Sequence, residues 1–413
     1  MADASEFIPS AFAAEMQLRT RKKQDFDGFE ASLPDPRAPG LSLKQFNVAH
    51  ILDAFTKYNP FGRPVNGEDI VWLFDNTAYQ SPDHTHHTVW EAEFVAAVFE
   101  KECKCKVADI VSGIAEKLGL ADDEEGKQTI EERLRPFLWD VRPAKVAKIL
   151  HKDKEIKLSP TGINGISTST QKLEKDQSGQ EIISELTADG GADSPLKMET
   201  YYAGPEGWAV ISDIDDTIKV TLTSDPTGIL RSTFVDAPKA IPGMVELYSD
   251  IVHTLPKDSP WFYLSASPYN LYPFLREFRD EAKFPAGTMI LRDSSWRTVS
   301  GLLTALTVQT EEYKADRMRK IHSWLPKRKL IVFGDSTQSD PEAYGEIYRT
   351  VPGWIKIIFI RKATDVAAFG IEEKNQPERF EKAFKDIPRE AWHVFEEPGE
   401  CLERIRDLVA REA

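Results

Sequence analysis

The sequence has few cysteines, no excess of positive charge and no long apolar run. Its 413 residues include only 3 cysteines, Cys103, Cys105 and Cys401, too few for a disulfide framework and typical of a reducing compartment. The net charge is −15, which argues against a nucleic-acid binder because phosphate recognition needs a basic surface. No run reaches the ~18 apolar residues of a membrane-spanning helix, and the start MADASEFIPS does not resemble a secretory signal. We therefore expect a cytoplasmic protein, either free or peripheral on membranes.

Two catalytic motifs are also missing. There is no GxSxG nucleophile elbow, so a serine lipase has no support, and no GxxxxGK[ST] loop, so ATP-driven chemistry has none. Hydrophobic residues make up 41% and aromatic residues 10% of the chain, enough to form folded cores. The length predicts two or three domains.

The first 204 residues divide into two regions without a recognisable chemistry. Residues 1–40 are expected to be peripheral, either an amphipathic membrane-surface segment or a helix packed on its own domain. Residues 41–204 read as a mixed α+β region of unknown role. Apolar spacing predicts helices in LKQFNVAHILDAF and TVWEAEFVAAVFEKE, and β-branched residues predict a small β section over 156–186. Residues 187–207 read as a connector of small residues.

From residue 205 to 385 the pattern becomes regular. Short apolar runs alternate with helical segments, and these runs are AVIS, WFYLS, MIL, LIVFG and IKIIFI. Such alternation predicts a Rossmann-like parallel sheet with helices on both faces. Ligands of such sheets bind at the carboxyl ends of the strands. Residues 386–413 are expected to form a closing helix.

The strongest chemical signal is the segment AVISDIDDTIKVT. A buried strand ends here at Asp213, and Asp215 follows at the same end of the strand. One carboxylate can attack a phosphorus atom and form an aspartyl-phosphate, while the other transfers the proton of the leaving oxygen. The simpler alternative is an acidic loop that caps a helix.

Three further pieces follow in order along the chain. Ser265 ends a second apolar strand, where its hydroxyl can bind a phosphoryl oxygen. Lys314 opens a basic helix and can neutralise charge on the phosphoryl group, with Lys320 as the alternative. Asp335 and Asp340, in GDSTQSD, end another strand and suit a hard cation such as Mg²⁺.

The order DxDxT, Ser, Lys and GDxxxxD resembles the haloacid-dehalogenase-like phosphatase superfamily. The segments ISDIDDTIKVT, IPGM, FYLSASPYNLYPFLREF, FPAGTMILRD and FGDSTQSDPEAYGEI resemble, more narrowly, the catalytic domain of the fungal actin-patch phosphatidate phosphatase family. This resemblance covers roughly residues 205–365. It implies a sheet of haloacid-dehalogenase type and magnesium-dependent removal of phosphate from phosphatidate, giving diacylglycerol.

The resemblance also implies roles for individual residues. Asp213 would be the nucleophile, Asp215 the acid/base, and Lys314 the charge-stabilising residue. Thr217, Ser265 and Lys314 would bind the substrate phosphate. The implied Mg²⁺ site is formed by Asp213, Asp215, Asp335 and Asp340, the last acting directly or through water.

Only about 23 residues, 218–240, separate Thr217 from the IPGM segment. We call these residues the flap, because they are too few for a large cap domain. A small flap predicts an open site, which suits a headgroup presented at an anionic membrane; the basic stretch from Lys314 to Lys329 is one candidate contact. Gly301, Leu302 and Leu303 could also touch lipid, although core packing is favoured.

The residues leave two alternative functions open. The same chemistry could act on a phosphoprotein or a soluble phosphate ester, or the chain could be an interaction scaffold that works through residues 1–204. The cluster of His84, His86 and His87 near Cys103 and Cys105 lacks a familiar zinc spacing. A polar loop and two ordinary thiols are the favoured interpretation there.

Overall fold

The computed structural model describes residues 11–33, 62–80, 89–101, 107–174, 176–188, 190–292, 299–308, 310–364 and 371–412. The predicted helix in LKQFNVAHILDAF, the three histidines at 84–87 and the two cysteines at 103 and 105 lie outside these ranges. Among the described helices, none has the length and apolar character needed to cross a bilayer.

The N-terminal half is built mainly from strands. Its described helices are α1 (Ala11–Lys23), α2 (Phe26–Ala31), α3 (Val107–Lys117) and α4 (Glu124–Leu138). Its described strands are β1 (Arg63–Pro64), β2 (Asp69–Phe74), β3 (Asn76–Gln80), β4 (Trp90–Glu100), β5 (Lys145–Val146), β6 (Lys148–His151), β7 (Lys154–Lys157), β8 (Ile166–Leu173), β9 (Glu181–Leu186) and β10 (Met198–Ala203). Eight of them form one sheet, in which paired strands follow one another in the order β2-β4-β3-β10-β9-β6-β7. The remaining strand of this sheet, β8, pairs with β4.

The predicted helix over TVWEAEFVAAVFEKE is wrong, because Trp90–Glu100 is the strand β4. It pairs with β2 and β3 along one edge and with β8 along the other. Trp90, Ala92 and Phe94 alternate into a buried core on one face. Burial of Ala96 through Phe99 on both faces conceals this alternation in the sequence. The expected connector also contains a strand, β10, which pairs with β3 and β9.

The C-terminal half is a parallel α/β sheet. Its strands are β11 (Glu206–Asp213), β12 (Trp261–Pro268), β13 (Thr288–Arg292), β14 (Lys327–Asp335), β15 (Ile355–Arg361) and β16 (Trp392–Phe395). Its described helices are α5 (Pro226–Phe234), α6 (Met244–Thr254), α7 (Tyr272–Glu281), α8 (Val299–Thr307), α9 (Thr310–Trp324), α10 (Asp340–Thr350), α11 (Ile371–Lys374), α12 (Pro377–Ala383) and α13 (Gly399–Glu412). The order β13-β12-β11-β14-β15-β16 confirms the predicted α/β fold and places a topological switch point between β11 and β14.

The six strands have apolar cores on both faces. Ile211, Leu264 and Val332 pack with α9 and α10 on one face. Val210 and Ile331 pack on the other face with residues of α6 and α13. The C-terminal segment is more than a closing helix, because β16 extends the sheet beside β15 before α13 begins.

The N-terminal helices α1 and α2 pack on the C-terminal half. Phe26 is fully buried, and the Arg21 guanidinium donates to Thr307 Oγ1 at 2.6 Å on α8. Of the two interpretations of residues 1–40, these contacts favour a helix packed on the protein. Leu302 and Leu303 of α8 are fully buried, which confirms core packing for that segment.

Helix α4 of the N-terminal half supports the flap. Arg133 donates to the backbone oxygens of Thr233 (3.3 Å) and Asp236 (2.7 Å), at the C-terminal end of α5. Phe137 packs edge-on against Phe234, with ring centroids 5.5 Å apart. The flap is therefore held from outside the C-terminal half.

We predict that Arg133→Gln loosens the flap, because the carbonyl oxygens that end α5 lose a charged donor. Hydrogen exchange of residues 226–236 should become faster, with a loss of about 1–2 kcal/mol in local protection. Arg135→Gln is the matched control, since Arg135 lies on the same helix and pairs with the partly exposed Glu131. Equal protection of the flap in both variants would contradict this role of Arg133.

Candidate active site

Two neighbouring strands deliver the central carboxylates. β11 pairs with β14 along its length, from Glu206–Lys327 to Ser212–Phe333. Asp213 ends β11 and Asp335 ends β14, so both side chains lie at the carboxyl edge of the sheet, at the switch point. Both are fully buried.

Lys314 is the central cation of this edge. Its Nζ lies 2.6 Å from Asp213 Oδ1 and also contacts Asp340 Oδ1. It donates a further hydrogen bond to Gln338 Oε1 at 3.0 Å. The side chain is completely buried, so the lysine predicted from sequence reaches the aspartates from helix α9.

The turn after β14 brings Asp340 back over the end of the strand. The backbone N–H of Asp335 donates to Asp340 Oδ2 at 3.0 Å. Gly334 permits this approach, because a Cβ there would lie 2.4 Å from Asp340 Oδ2. One oxygen each from Asp213, Asp335 and Asp340 lie within 4.8 Å of one another. The structure therefore brings three of the four expected metal ligands together.

The fourth expected ligand, Asp215, faces a different set of groups. Its Oδ2 accepts hydrogen bonds from Ser265 Oγ (2.5 Å) and Ser267 Oγ (3.3 Å). Its Oδ1 accepts from Thr221 Oγ1 at 2.9 Å. The carboxylate of Asp215 is not part of the three-aspartate group, and Ser265 lies against Asp215.

Thr217 and Asp216 connect the strand end to the flap. Thr217 Oγ1 donates to Asp213 Oδ2 at 3.1 Å. Asp216 has a left-handed backbone (φ 59°), and its carboxylate accepts from the backbone N–H groups of Thr221, Leu222 and Thr223 at 2.8–2.9 Å. Asp216 thus fixes the start of the flap beside Asp215.

Burial controls the electrostatics of the cluster. It raises the pKa of Asp213 well above the ordinary value, and the nearby Asp340, Asp335 and Asp215 add to this effect while Lys314 opposes it. Burial, reinforced by Asp340, raises the pKa of Asp335 to about 7. Burial alone would lower the pKa of Lys314, but the carboxylates of Asp213 and Asp340 raise it above its ordinary value. Lys314 is therefore charged, and it faces three carboxyl groups, two of which burial holds back from ionising in the absence of a further cation.

Sequence reasoning missed several residues around the cluster. Gln338 positions Lys314, Asp216 orders the flap, and Lys374 donates to Thr337 O and Ser224 Oγ behind Asp335. Burial lowers the pKa of Lys374 to about 8. The repeated aspartate in DIDDT was the one available signal for Asp216.

Burial and ion pairing bear on two expectations about access to the site. The site is not open at its acidic groups, since Asp213, Asp335 and Asp340 are all fully buried. The stretch from Lys314 to Lys329 is not a free basic face either, because its cations have acidic partners. These pairs are Lys314 with Asp213, Arg317 with Asp316, Arg319 with Glu346, Lys320 with Glu93, Lys327 with Glu206, Arg328 with Asp258 and Lys329 with Glu412. The pairing of Lys320 with Glu93, away from the aspartates, leaves Lys314 as the lysine of the site.

We predict that Lys314→Met lowers the free energy of unfolding by about 3–5 kcal/mol, because two buried carboxylates lose their cation. When unfolding is measured in EDTA, the loss of unfolding free energy should be smaller at pH 5 than at pH 8. Asp213 already has a raised pKa in the folded protein, and removing Lys314 raises it further, so protonation at low pH relieves the variant. Lys320→Met on the same helix is the control and should cost about 1 kcal/mol or less. Similar losses in both variants by denaturant unfolding would contradict a central role for Lys314.

Comparison with known proteins identifies the segment that holds this site. Residues 208–362 match the family model described as "Phosphatidate phosphatase APP1, catalytic domain". The Saccharomyces cerevisiae protein named phosphatidate phosphatase APP1 is 33% identical over 185 residues, which are 44% of this chain and 30% of the yeast protein. An uncharacterized Schizosaccharomyces pombe protein is 27% identical over 158 residues, 38% of this chain and 25% of that protein. The chain thus spans less than a third of each of these relatives. These matches confirm, for the segment with the clustered aspartates and Lys314, the predicted resemblance to the fungal actin-patch phosphatidate phosphatase family.

Proposed function

We propose that this chain is a magnesium-dependent phosphatidate phosphatase that forms diacylglycerol and phosphate through an aspartyl-phosphate on Asp213. One observation carries the chemistry: Lys314 lies between Asp213 and Asp340 at the switch point of a parallel sheet, beside Asp335. The substrate is supported by the name of the yeast relative. Strand order and site position support a haloacid-dehalogenase-type fold with a flap instead of a large cap.

The donors around Asp335 fit a divalent cation. Asp335 Oδ2 is buried and receives no hydrogen bond from any described residue, and an orphaned buried carboxylate oxygen is costly. When ionised, three clustered carboxylates exceed the charge of one ammonium, and Mg²⁺ would neutralise this excess; oxygen atoms are its preferred ligands. We assign Asp213, Asp335 and Asp340 as the side chains that hold it. When bound, Mg²⁺ reduces the repulsion between the anionic nucleophile and the anionic phosphate.

The residues of the chain divide the reaction into two displacements. In the first, an oxygen of Asp213 bonds to phosphorus, the ester P–O bond breaks, and Asp215 gives its proton to the leaving glyceride oxygen. In the second, Asp215 takes a proton from water, the water oxygen bonds to phosphorus, and the Asp213–phosphorus bond breaks to release phosphate. Thr217 and Lys314 hold Asp213 in place, and Lys314 offsets charge on the phosphoryl oxygens. Ser265 and Thr221 orient Asp215.

The domain division is part of the proposal. Residues 1–40 are a peripheral segment, 41–204 a mixed α+β region, 205–385 the phosphatase domain, and 386–413 a segment that completes its sheet with β16 and adds α13. We also propose that the protein is cytoplasmic. Peripheral contact with anionic membranes follows from the proposed substrate, since phosphatidate resides in bilayers.

Phosphate release from phosphatidate in detergent micelles tests this function. We expect release with Mg²⁺ and none with EDTA. Asp213→Asn should reduce turnover at least about a thousandfold, because the amide cannot serve as the nucleophile, and it should stay folded by circular dichroism. Asp250→Asn, at an exposed aspartate of α6, is the matched control with full activity.

Other outcomes would select another function. Hydrolysis of an aryl phosphate or a phosphopeptide without hydrolysis of phosphatidate would favour a soluble ester or phosphoprotein as substrate. Folded protein that hydrolyses none of these phosphates would favour the scaffold.

A further inference from the structure

A cavity of about 300 Å³ lies between the two halves of the protein, outside the cluster of aspartates. Phe74, Val95 and Ile166 of β2, β4 and β8 contribute to one wall. Met289 and Leu291 of β13 and Trp324 of α9 contribute to the other. Its volume falls at the lower end of the range for small-molecule sites, about 300–1,000 Å³.

Part of the cavity lining lies where β12 and β13 end, at the same carboxyl edge of the sheet as the candidate site. β13 is an edge strand, and its last residue, Arg292, is in register with Pro268, three residues after Ser265. Tyr269 and Leu291 line the cavity at this level. On α9, Lys314 reaches the aspartates, whereas Arg317 and Trp324 line the cavity. At a helical rise of ~1.5 Å per residue, these two residues lie about 5 and 15 Å from Lys314 along the helix axis.

The charged groups of the lining have partners of opposite charge. Asp75 lies 3.3 Å from Arg276 and 3.5 Å from Arg279. Lys320 pairs with Glu93 at 2.5 Å and joins the two walls. Asn76, Thr168 and Thr288 add uncharged polar groups to the lining. Because the charges are matched within the protein, the lining favours an uncharged ligand over an ionic one, and its aliphatic and aromatic side chains can contact an apolar chain.

We propose that this cavity holds one acyl chain of the lipid whose phosphate group occupies the site around Asp213. The inference rests on the proposed phosphatidate phosphatase function. Withdrawing a chain from a bilayer costs about 0.8 kcal/mol per methylene, and burial against Val95, Met289 and Trp324 compensates for this cost. A lipid site also gives the N-terminal sheet a direct part in substrate binding, since it forms one wall.

Filling the cavity tests this assignment in the full chain. Val95→Trp places a large ring in the cavity. Thr168→Trp fills the cavity from an exposed position of β8 and serves as the second variant if Val95→Trp does not fold. The matched control is Val252→Trp, at an exposed valine of α6 that lines a separate cavity of about 520 Å³ near the amino ends of the strands.

Two readouts are needed. The first is binding of the fluorescent fatty acid cis-parinaric acid and its displacement by dioleoyl phosphatidate. The second is kcat and KM for dioleoyl and dibutyryl phosphatidate. We expect Val95→Trp to weaken parinarate binding and raise the dioleoyl KM at least about tenfold, with dibutyryl kinetics unchanged. Val252→Trp should match the wild-type protein in both readouts.

Three results would overturn the inference. If both cavity-filling variants keep the wild-type preference for dioleoyl phosphatidate, the acyl chain lies elsewhere while the proposed function stands. Loss of parinarate binding in Val252→Trp would place the chain in the other cavity. If the wild-type protein hydrolyses an aryl phosphate but neither phosphatidate, the proposed lipid substrate fails, and the acyl-chain assignment fails with it.

Discussion

The contact of the Lys314 ammonium with the carboxylates of Asp213 and Asp340 is the interaction on which the site depends. All three side chains are fully buried, and unpaired buried charges are among the costliest features a fold can contain. The ammonium fixes the end of β11, the N-terminal part of α9 and the turn from β14 to α10 relative to one another. Because one cation faces three carboxyl groups, their full ionisation would leave an excess of negative charge beside Asp335. That excess makes the same arrangement both a structural anchor and a candidate cation site.

The flap and the N-terminal half extend this organisation outward. Asp216 accepts three backbone hydrogen bonds from the start of the flap, so the DIDDT turn positions the flap as well as Asp213 and Asp215. At its other end the flap is held by Arg133 of α4. The N-terminal sheet also faces β13 across a cavity. These contacts make residues outside the family-matched segment part of the environment of the candidate active site.

Sequence reasoning succeeded where local pattern determines position. Asp213, Ser265 and Asp335 each follow a short apolar run, and the carboxyl ends of parallel strands lie at one edge of a sheet, so their proximity could be predicted.

Sequence reasoning failed where tertiary contacts determine the structure. The sequence of β4 predicts a helix, because burial of Ala96 to Phe99 on both faces conceals the alternation of a strand. Strand β10 lies in a segment that predicts a connector, and strand β16 lies in one that predicts a helix. The separation of Asp215 from the other carboxylates depends on hydroxyls of Thr221, Ser265 and Ser267, which no spacing rule locates. The ion pairs that neutralise the basic stretch after Lys314 join residues distant in sequence, so a basic surface was expected there.

The central claim is that Asp213, held by Lys314, becomes covalently phosphorylated. An aspartyl-phosphate is reduced by borohydride to homoserine, which peptide mass spectrometry locates. We predict homoserine at position 213 when the protein is acid-quenched during turnover of phosphatidate and then reduced. No homoserine should form in protein without substrate or in the Asp213→Asn variant. Homoserine at Asp215 or Asp335 instead, or none at any aspartate during rapid phosphate release, would contradict the account.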